Sequence, residues 1–133
     1  MLASYQTNGV RVSLACWSAF VAFRTEGFSI SIDDFGTGFS AFVYLKHYPI
    51  HEIKIDRQFI QATENDPTGN VIVQSIIELA RGLGLKTVCE GIETDSQRRT
   101  LKKLGCDEMQ GYHFSRPLPI EELEQWIAEY ETT

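Results

Sequence analysis

From residue 28 onward the chain alternates short runs of β-type residues with stretches whose apolar side chains recur at helical spacing. That alternation predicts parallel βα units. A first strand, "FSISI" (28–32), leads through two aspartates and two glycines to a short helix over about 40–48, with Phe42 and Leu45 on one face and Pro49 ending it. A second strand, "EIKID" (52–56), runs through a polar loop containing Asp66, Pro67 and Gly69 into a helix over about 71–81. There Val73, Ile76, Ile77 and Ala80 take the i, i+3, i+4, i+7 positions of one buried face. A third, "KTVCEGI" (86–92), runs into "TDSQ", where Thr94 and Gln97 form a capping-box signature before a helix that carries Leu101 and Leu104 and stops at Gly105. A fourth, about "EMQGYHF" (108–114), leads through "SRPLP" to a final helix in which Ile120, Leu123, Ile127 and Tyr130 share a face.

Ahead of these units, "VSLACWSAFVAF" (12–23) predicts a buried or interfacial helix ending near Gly27. At 12 residues it is shorter than the roughly 20 that a membrane-spanning helix needs, and "RTEG" after it is not a signal-peptide cleavage site. The chain therefore reads as one globular unit over residues 1–133, with a helical segment over 1–27 and four βα units over 28–133. A length of 133 residues and 43% hydrophobic content suffice for one sizeable core. The net charge of −6 argues against broad binding to a nucleic-acid polymer or an anionic membrane. Cys16, Cys89 and Cys106 follow no metal or disulfide spacing and read as small buried hydrophobes in a reducing, cytoplasmic compartment. His47, His51 and His113 likewise read as surface or loop residues.

Polar groups collect at the carboxyl ends of the strands: Asp33 and Asp34, then Lys54 and Asp56, then Glu90 and Glu93, then Gln110. In parallel α/β folds that rim is where sites are built. Successive strand residues point to opposite faces, so Asp33 and Asp34 reach one ligand only if the chain bends, and "FGTG" supplies glycines for a bend. Two carboxylates so placed suit a divalent cation, which offsets their repulsion. Each group also has an ordinary use. Asp-Asp before a glycine turn is a common strand exit, Lys54 can pair with a neighbour, Glu90 can cap a turn and Gln110 can satisfy backbone groups.

The stretches "SIDDFGTGFS", "EIKIDRQFI", "CEGIET" and "GCDEMQGYHFSRPLP", in that order across residues 19–127, resemble the successive motifs of the EAL-domain family of cyclic di-GMP phosphodiesterases. The resemblance implies a TIM-like barrel that hydrolyses cyclic di-GMP to linear pGpG with two Mg²⁺ or Mn²⁺ ions. It implies metal ligation by Asp33, Asp34 and Glu90, with Asp33 bridging the two ions. Lys54 would orient the attacking water, so that Asp33, Lys54 and Glu90 form the catalytic set. Gln110 would contact the substrate or the metal network, and Glu93 would support the loop after the first strand.

The Glu-Ala-Leu motif that names the family is absent, as are its metal-binding Asn and a further Glu, all of which would precede the matched region. The expected fold is thus a truncated TIM-like barrel, a half-barrel of four parallel βα units with one helix ahead. Its inner face is expected to be apolar and its two edges open, which invites a homodimer covering them or exchanging N-terminal helices. The expected function is a catalytically incomplete cyclic di-GMP signalling protein with residual binding of a divalent metal or cyclic di-GMP. A weak phosphodiesterase completed by oligomerisation, and a stable fragment or interaction module, are the alternatives.

Overall fold

In the computed structural model, which describes residues 5–7, 10–12, 14–36, 45 and 48–131, β1 (Tyr5–Thr7) and β2 (Val10–Val12) pair as an antiparallel hairpin, followed by α1 (Leu14–Thr25). The hairpin is an element the periodicity of the sequence does not announce. Residues 18–25 of α1 are almost all exposed, Val21 and Phe23 among them, so this helix is not buried.

Alternation then builds a sheet with one oily side. Strands β3 (Ser31–Phe35), β4 (Glu52–Ile55), β5 (Lys86–Cys89) and β6 (Glu108–Met109) lie side by side in chain order, all parallel. The register sets Ile53 beside Thr87 and Ile55 beside Cys89. These alternate residues, with Phe35, face Ile60, Val73, Ile77, Ala80, Ile92 and Leu101 in the core. Each fully shielded side chain of this size contributes roughly 1.5–3 kcal/mol, so this layer between sheet and helices is the principal source of stability. Four parallel strands with helices packed on one face make a partial α/β barrel, as the sequence predicts.

The helices are α2 (Arg57–Asn65), α3 (Pro67–Gly82), α4 (Asp95–Leu104) and α5 (Ile120–Glu131). Asp56 caps α2 by accepting from the Gln58 amide at 2.8 Å, and Asp66 caps α3 by accepting from Thr68 at 2.8 Å, with Pro67 in the first turn. The predicted Thr94–Gln97 capping box is formed, and Gly105 ends α4 in the left-handed conformation at φ 85°. The polar loop expected after "EIKID" is instead α2, whose Ile60 and Thr63 are buried. The expected helix near 40–48 lies almost wholly outside the described residues; Leu45, which is helical, packs against the core.

Three further expectations are corrected. The first strand begins at Ser31, not Phe28, and carries both aspartates, because pairing to the next strand starts where the Ile30 amide donates to His51 Nδ1 at 3.0 Å. The third and fourth strands end at Cys89 and Met109 because the chain turns away there. The turn is held by bonds from the Ile92 amide to the Gln110 carbonyl (3.1 Å) and from the His113 amide to the Ile92 carbonyl (2.9 Å). The inner face is largely charged rather than apolar: Glu52, Lys54, Lys86 and Glu108 stand on it around the buried Val88, and Lys86 meets Glu108 at 3.1 Å. Exposed apolar residues sit instead on α1, on α3 (Val71 and Ile72) and on α5, where Ile120, Ile127 and Tyr130 are exposed and no residue is fully buried. Among the described residues, no helix is long and apolar enough to cross a membrane.

Candidate metal centre

A strand that alternates strictly would send Asp33 and Asp34 to opposite faces. Here Ile32 pairs with Ile53 and Phe35 with Ile55, so two residues of β3, Asp33 and Asp34, stand against the single residue Lys54 of β4. This is a β-bulge. It turns both carboxylates toward the same rim and returns Phe35 to the core in phase. The bend sits on Asp34 itself, a non-glycine residue at φ 52°, and continues through Gly36 at φ 98°. Aspartate tolerates the left-handed region better than most residues. The Asp33 carboxylate accepts from the Asp34 amide at 2.9 Å, which helps fix the kink.

Glu90, one residue past the end of β5, completes the group. Its amide donates to the Ile55 carbonyl at 3.1 Å, which anchors it at the level of the β4 exit. One oxygen from each of Asp33, Asp34 and Glu90 lies within 4.8 Å of the other two. The Lys54 ammonium is hydrogen-bonded to Glu90 and stands 3.9 Å from Asp33. Its pKa is raised, first by the Glu90 carboxylate that accepts its hydrogen bond and further by Asp33. The Asp34 carboxyl is also pushed up, first by the adjacent Asp33 charge and also by a hydrogen bond with Asp56. Three carboxylates against one ammonium leave an excess of negative charge at an open rim.

The donor set fits a hard divalent cation. Oxygen ligands stand about 2.1 Å from Mg²⁺ and slightly farther from Mn²⁺, so opposite ligands of one ion are about 4.2–4.5 Å apart. A triangle of oxygens within 4.8 Å of one another has its centre no more than about 2.8 Å from each, so side-chain shifts of about 0.7 Å or less would close it onto one ion. An ion there would also remove the Asp33–Asp34 repulsion that keeps Asp34 proton-hungry.

Of the other residues singled out in the sequence, Gln110 follows β6 immediately beyond Met109, and its amide donates to the Cys89 carbonyl at 2.9 Å. That places it on the strand end next to Glu90. Its exposed side chain lines a groove of about 380 Å³ with Tyr112, Arg116, Leu123 and Trp126. Arg116 stacks over the Tyr112 ring at 5.0 Å. Glu93 pairs with Arg57 at 3.7 Å, while its amide donates to Gln97 Oε1 at 2.8 Å. The loop that Glu93 is expected to support falls outside the described residues. Sequence reasoning left Asp56 without a role, although it joins the centre to the scaffold by capping α2 and bonding Asp34. The available signal was an Asp directly ahead of a helix-period run, Phe59, Ile60 and Thr63.

Comparison with known proteins places this geometry. The EAL domain family matches residues 4–117. The signaling protein YkoW of Bacillus subtilis is 47% identical over 103 residues, which cover 77% of this chain and 13% of YkoW. The bifunctional diguanylate cyclase/cyclic di-GMP phosphodiesterase MucR of Pseudomonas aeruginosa is 50% identical over 102 residues, 77% of this chain and 15% of MucR. A solved structure of the MucR phosphodiesterase in complex with c-di-GMP superposes with a TM-score of 0.76 at 45% identity, covering 82% of this chain and 44% of that one. The manganese/c-di-GMP complex of BlrP1 from Klebsiella pneumoniae superposes with a TM-score of 0.70 at 33% identity, covering 75% of this chain and 26% of that one. The chain thus spans 13–15% of the length of the curated relatives YkoW and MucR. By its match over residues 4–117 and by its partial α/β barrel, the chain belongs to the EAL domain family.

Proposed function

We propose that this chain acts in cyclic di-GMP signalling as a single partial EAL domain over residues 1–133. In this reading it holds a divalent ion, Mg²⁺ or Mn²⁺, on Asp33, Asp34 and Glu90 and meets the nucleotide's phosphodiester there. The observation that carries the reading is the β3 bulge, which sets two consecutive carboxylates against Lys54 and within 4.8 Å of Glu90. Asp33, Lys54 and Glu90 form the catalytic set, Gln110 contacts substrate from the adjoining strand end, and Glu93 steadies the rim through Arg57. A bound divalent ion supplies a Lewis acid and lowers the pKa of its water. Lys54 adds a fixed positive charge beside it that orients water or a phosphate oxygen, and the Asp33–Asp34 pair fixes the approach by its rigid kink.

Phosphodiester cleavage by two ions needs two cradles, and one such acidic triangle is present among the described residues. The chain by itself is therefore read as binding without efficient turnover. Calorimetric and thermal-shift titrations with Mn²⁺, then with cyclic di-GMP in the presence of Ca²⁺, test this on wild type and Asp33→Ala. Saturable Mn²⁺ binding lost in the variant is expected; absence of any Mn²⁺ effect on wild type would overturn the reading. Formation of pGpG by wild type, abolished in Asp33→Ala, would replace the non-hydrolytic reading with that of a weak phosphodiesterase.

A homo-oligomer is the second element of the proposal, supported by the exposed apolar residues Val21 and Phe23 of α1 and Ile120, Ile127 and Tyr130 of α5 rather than by the charged inner face. Sedimentation velocity at micromolar concentration is expected to show a dimer, and a monodisperse monomer sinks this part. A cytoplasmic setting goes with a nucleotide messenger and with free thiols at Cys89 and Cys106.

A further inference from the structure

The sequence offers Cys89 and Cys106 as unrelated residues 17 positions apart, yet the fold brings their sulfurs to 2.8 Å. Cys89 ends β5 and points into the core beside Ile55, fully shielded from solvent. Cys106 lies in the tight link between α4 and β6 and is only half-buried. Its Sγ is also 3.0 Å from the Glu108 carbonyl oxygen and 3.8 Å from that of Thr87.

The link that carries Cys106 is pinned on both sides. The Cys106 amide donates to the Leu101 carbonyl at 3.1 Å, and the Arg81 guanidinium donates to the Gly105 carbonyl at 3.3 Å. On the other side the Asp107 carboxylate accepts from the Thr87 amide at 2.8 Å and its hydroxyl at 2.9 Å, while the Asp107 amide donates back to the Thr87 hydroxyl at 3.2 Å. Thr87 is two residues before Cys89, so both thiols are tied to the same short stretch of β5. A disulfide has its sulfurs about 2.05 Å apart, which is a closure of about 0.7–0.8 Å from the observed 2.8 Å.

We propose that Cys89 and Cys106 form an oxidative modification site that a hydroperoxide closes to an intramolecular disulfide. Cys106, the more accessible thiol, attacks the peroxide as its thiolate; the O–O bond breaks, the sulfur becomes a sulfenic acid and an alcohol or water leaves. The Cys89 sulfur then attacks the sulfenic sulfur, the S–O bond breaks, and water departs with the Cys89 proton. In sum two thiols lose two hydrogens and the hydroperoxide is reduced to an alcohol and water, or to two waters. The site stands on the sulfur geometry and is independent of the metal reading.

The test treats the folded Cys16→Ser chain with hydrogen peroxide and reads intact mass, thiol count and non-reducing electrophoresis. Loss of two hydrogens from the monomer mass, loss of both thiols and full reversal by dithiothreitol are expected. In Cys16→Ser/Cys89→Ala, dimedone is expected to trap a sulfenic acid at Cys106, and in Cys16→Ser/Cys106→Ala the core thiol at Cys89 is expected to stay unmodified over the same interval. Two thiols that survive peroxide in the folded chain, or a bridge that forms only between chains, would overturn the proposal.

Discussion

Replacing Gly111 by alanine tests the crossing of the two strand exits that carry Glu90 and Gln110. A Cβ at Gly111 would overlap the carbonyl oxygen and the amide nitrogen of Ile92 and lie 2.7 Å from its carbonyl carbon. The obstacle is backbone, which cannot rotate aside as a flexible side chain can. Relief requires separating the two loops, which breaks the Ile92-to-Gln110 bond of 3.1 Å and the His113-to-Ile92 bond of 2.9 Å. Those bonds contribute about 1 kcal/mol each, and overpacking of a fitted interior costs a further ~1–3 kcal/mol. The expected destabilisation is therefore about 3–5 kcal/mol, or a Tm lower by roughly 10–20 °C for a domain of this size. Thermal melts followed by circular dichroism measure it directly. Gly82→Ala serves as the control, since nothing lies within 4 Å of a Cβ there; it should be neutral or stabilising by about 0.5 kcal/mol. A Gly111→Ala chain melting within about 2 °C of wild type, on the scale just given, would show that the loops do not lock each other.

The Asp33 charge raises the Asp34 pKa, so ionisation of Asp34 opposes folding. That stability is complete below the ordinary carboxylate pKa and declines as pH climbs through the raised value. Asp34→Asn is thus expected to raise the Tm of the metal-free chain at neutral pH, with the advantage vanishing below about pH 4, and to remove stabilisation by Mn²⁺. Lys54→Met takes away the ammonium bonded to Glu90, and chemical denaturation without metal is expected to show a loss of ~1–2 kcal/mol. Added Mn²⁺ should recover most of that loss, because a cation again faces the carboxylates; persistence of the full deficit in saturating Mn²⁺ contradicts the charge argument. Thr94→Ala deletes the cap that accepts from the Gln97 amide at 3.1 Å and is expected to cost about 1 kcal/mol in denaturation midpoint analysis.

Features whose cause is local were legible in the residues. Val73, Ile76, Ile77 and Ala80 carry a helical stripe and are buried, and Thr94 with Gln97 caps a helix as its spacing requires. The strand-end carboxylates Asp33, Asp34 and Glu90 do lie together at one rim, but through the β3 bulge, since a regularly alternating strand would bring only one of the two aspartates there. Features whose cause is tertiary were not. The strand containing "SIDDF" starts only at Ser31, after Ile30 has exchanged bonds with His51 just ahead of β4, and no pattern within residues 28–35 encodes that. The final helix reads as half-buried by periodicity, but burial depends on what lies against it, and Ile120, Ile127 and Tyr130 face outward here. The bulge was half visible: glycines promised a bend, while the kink falls on Asp34, whose left-handed backbone comes from opposing two residues to Lys54.

That opposition of two residues to one makes the centre separable from the fold. Ile32 and Phe35 keep their partners Ile53 and Ile55 on either side of the extra residue. The sheet therefore counts Asp33 and Asp34 as one step. A chain shortened by Asp34 would run in regular alternation with Phe35 still seated in the core, and would present one carboxylate where there were two. Gain or loss of one of the three clustered carboxylates is then a single-codon insertion or deletion at a position where the core registers no change, so the charge of this rim can vary without the sheet refolding.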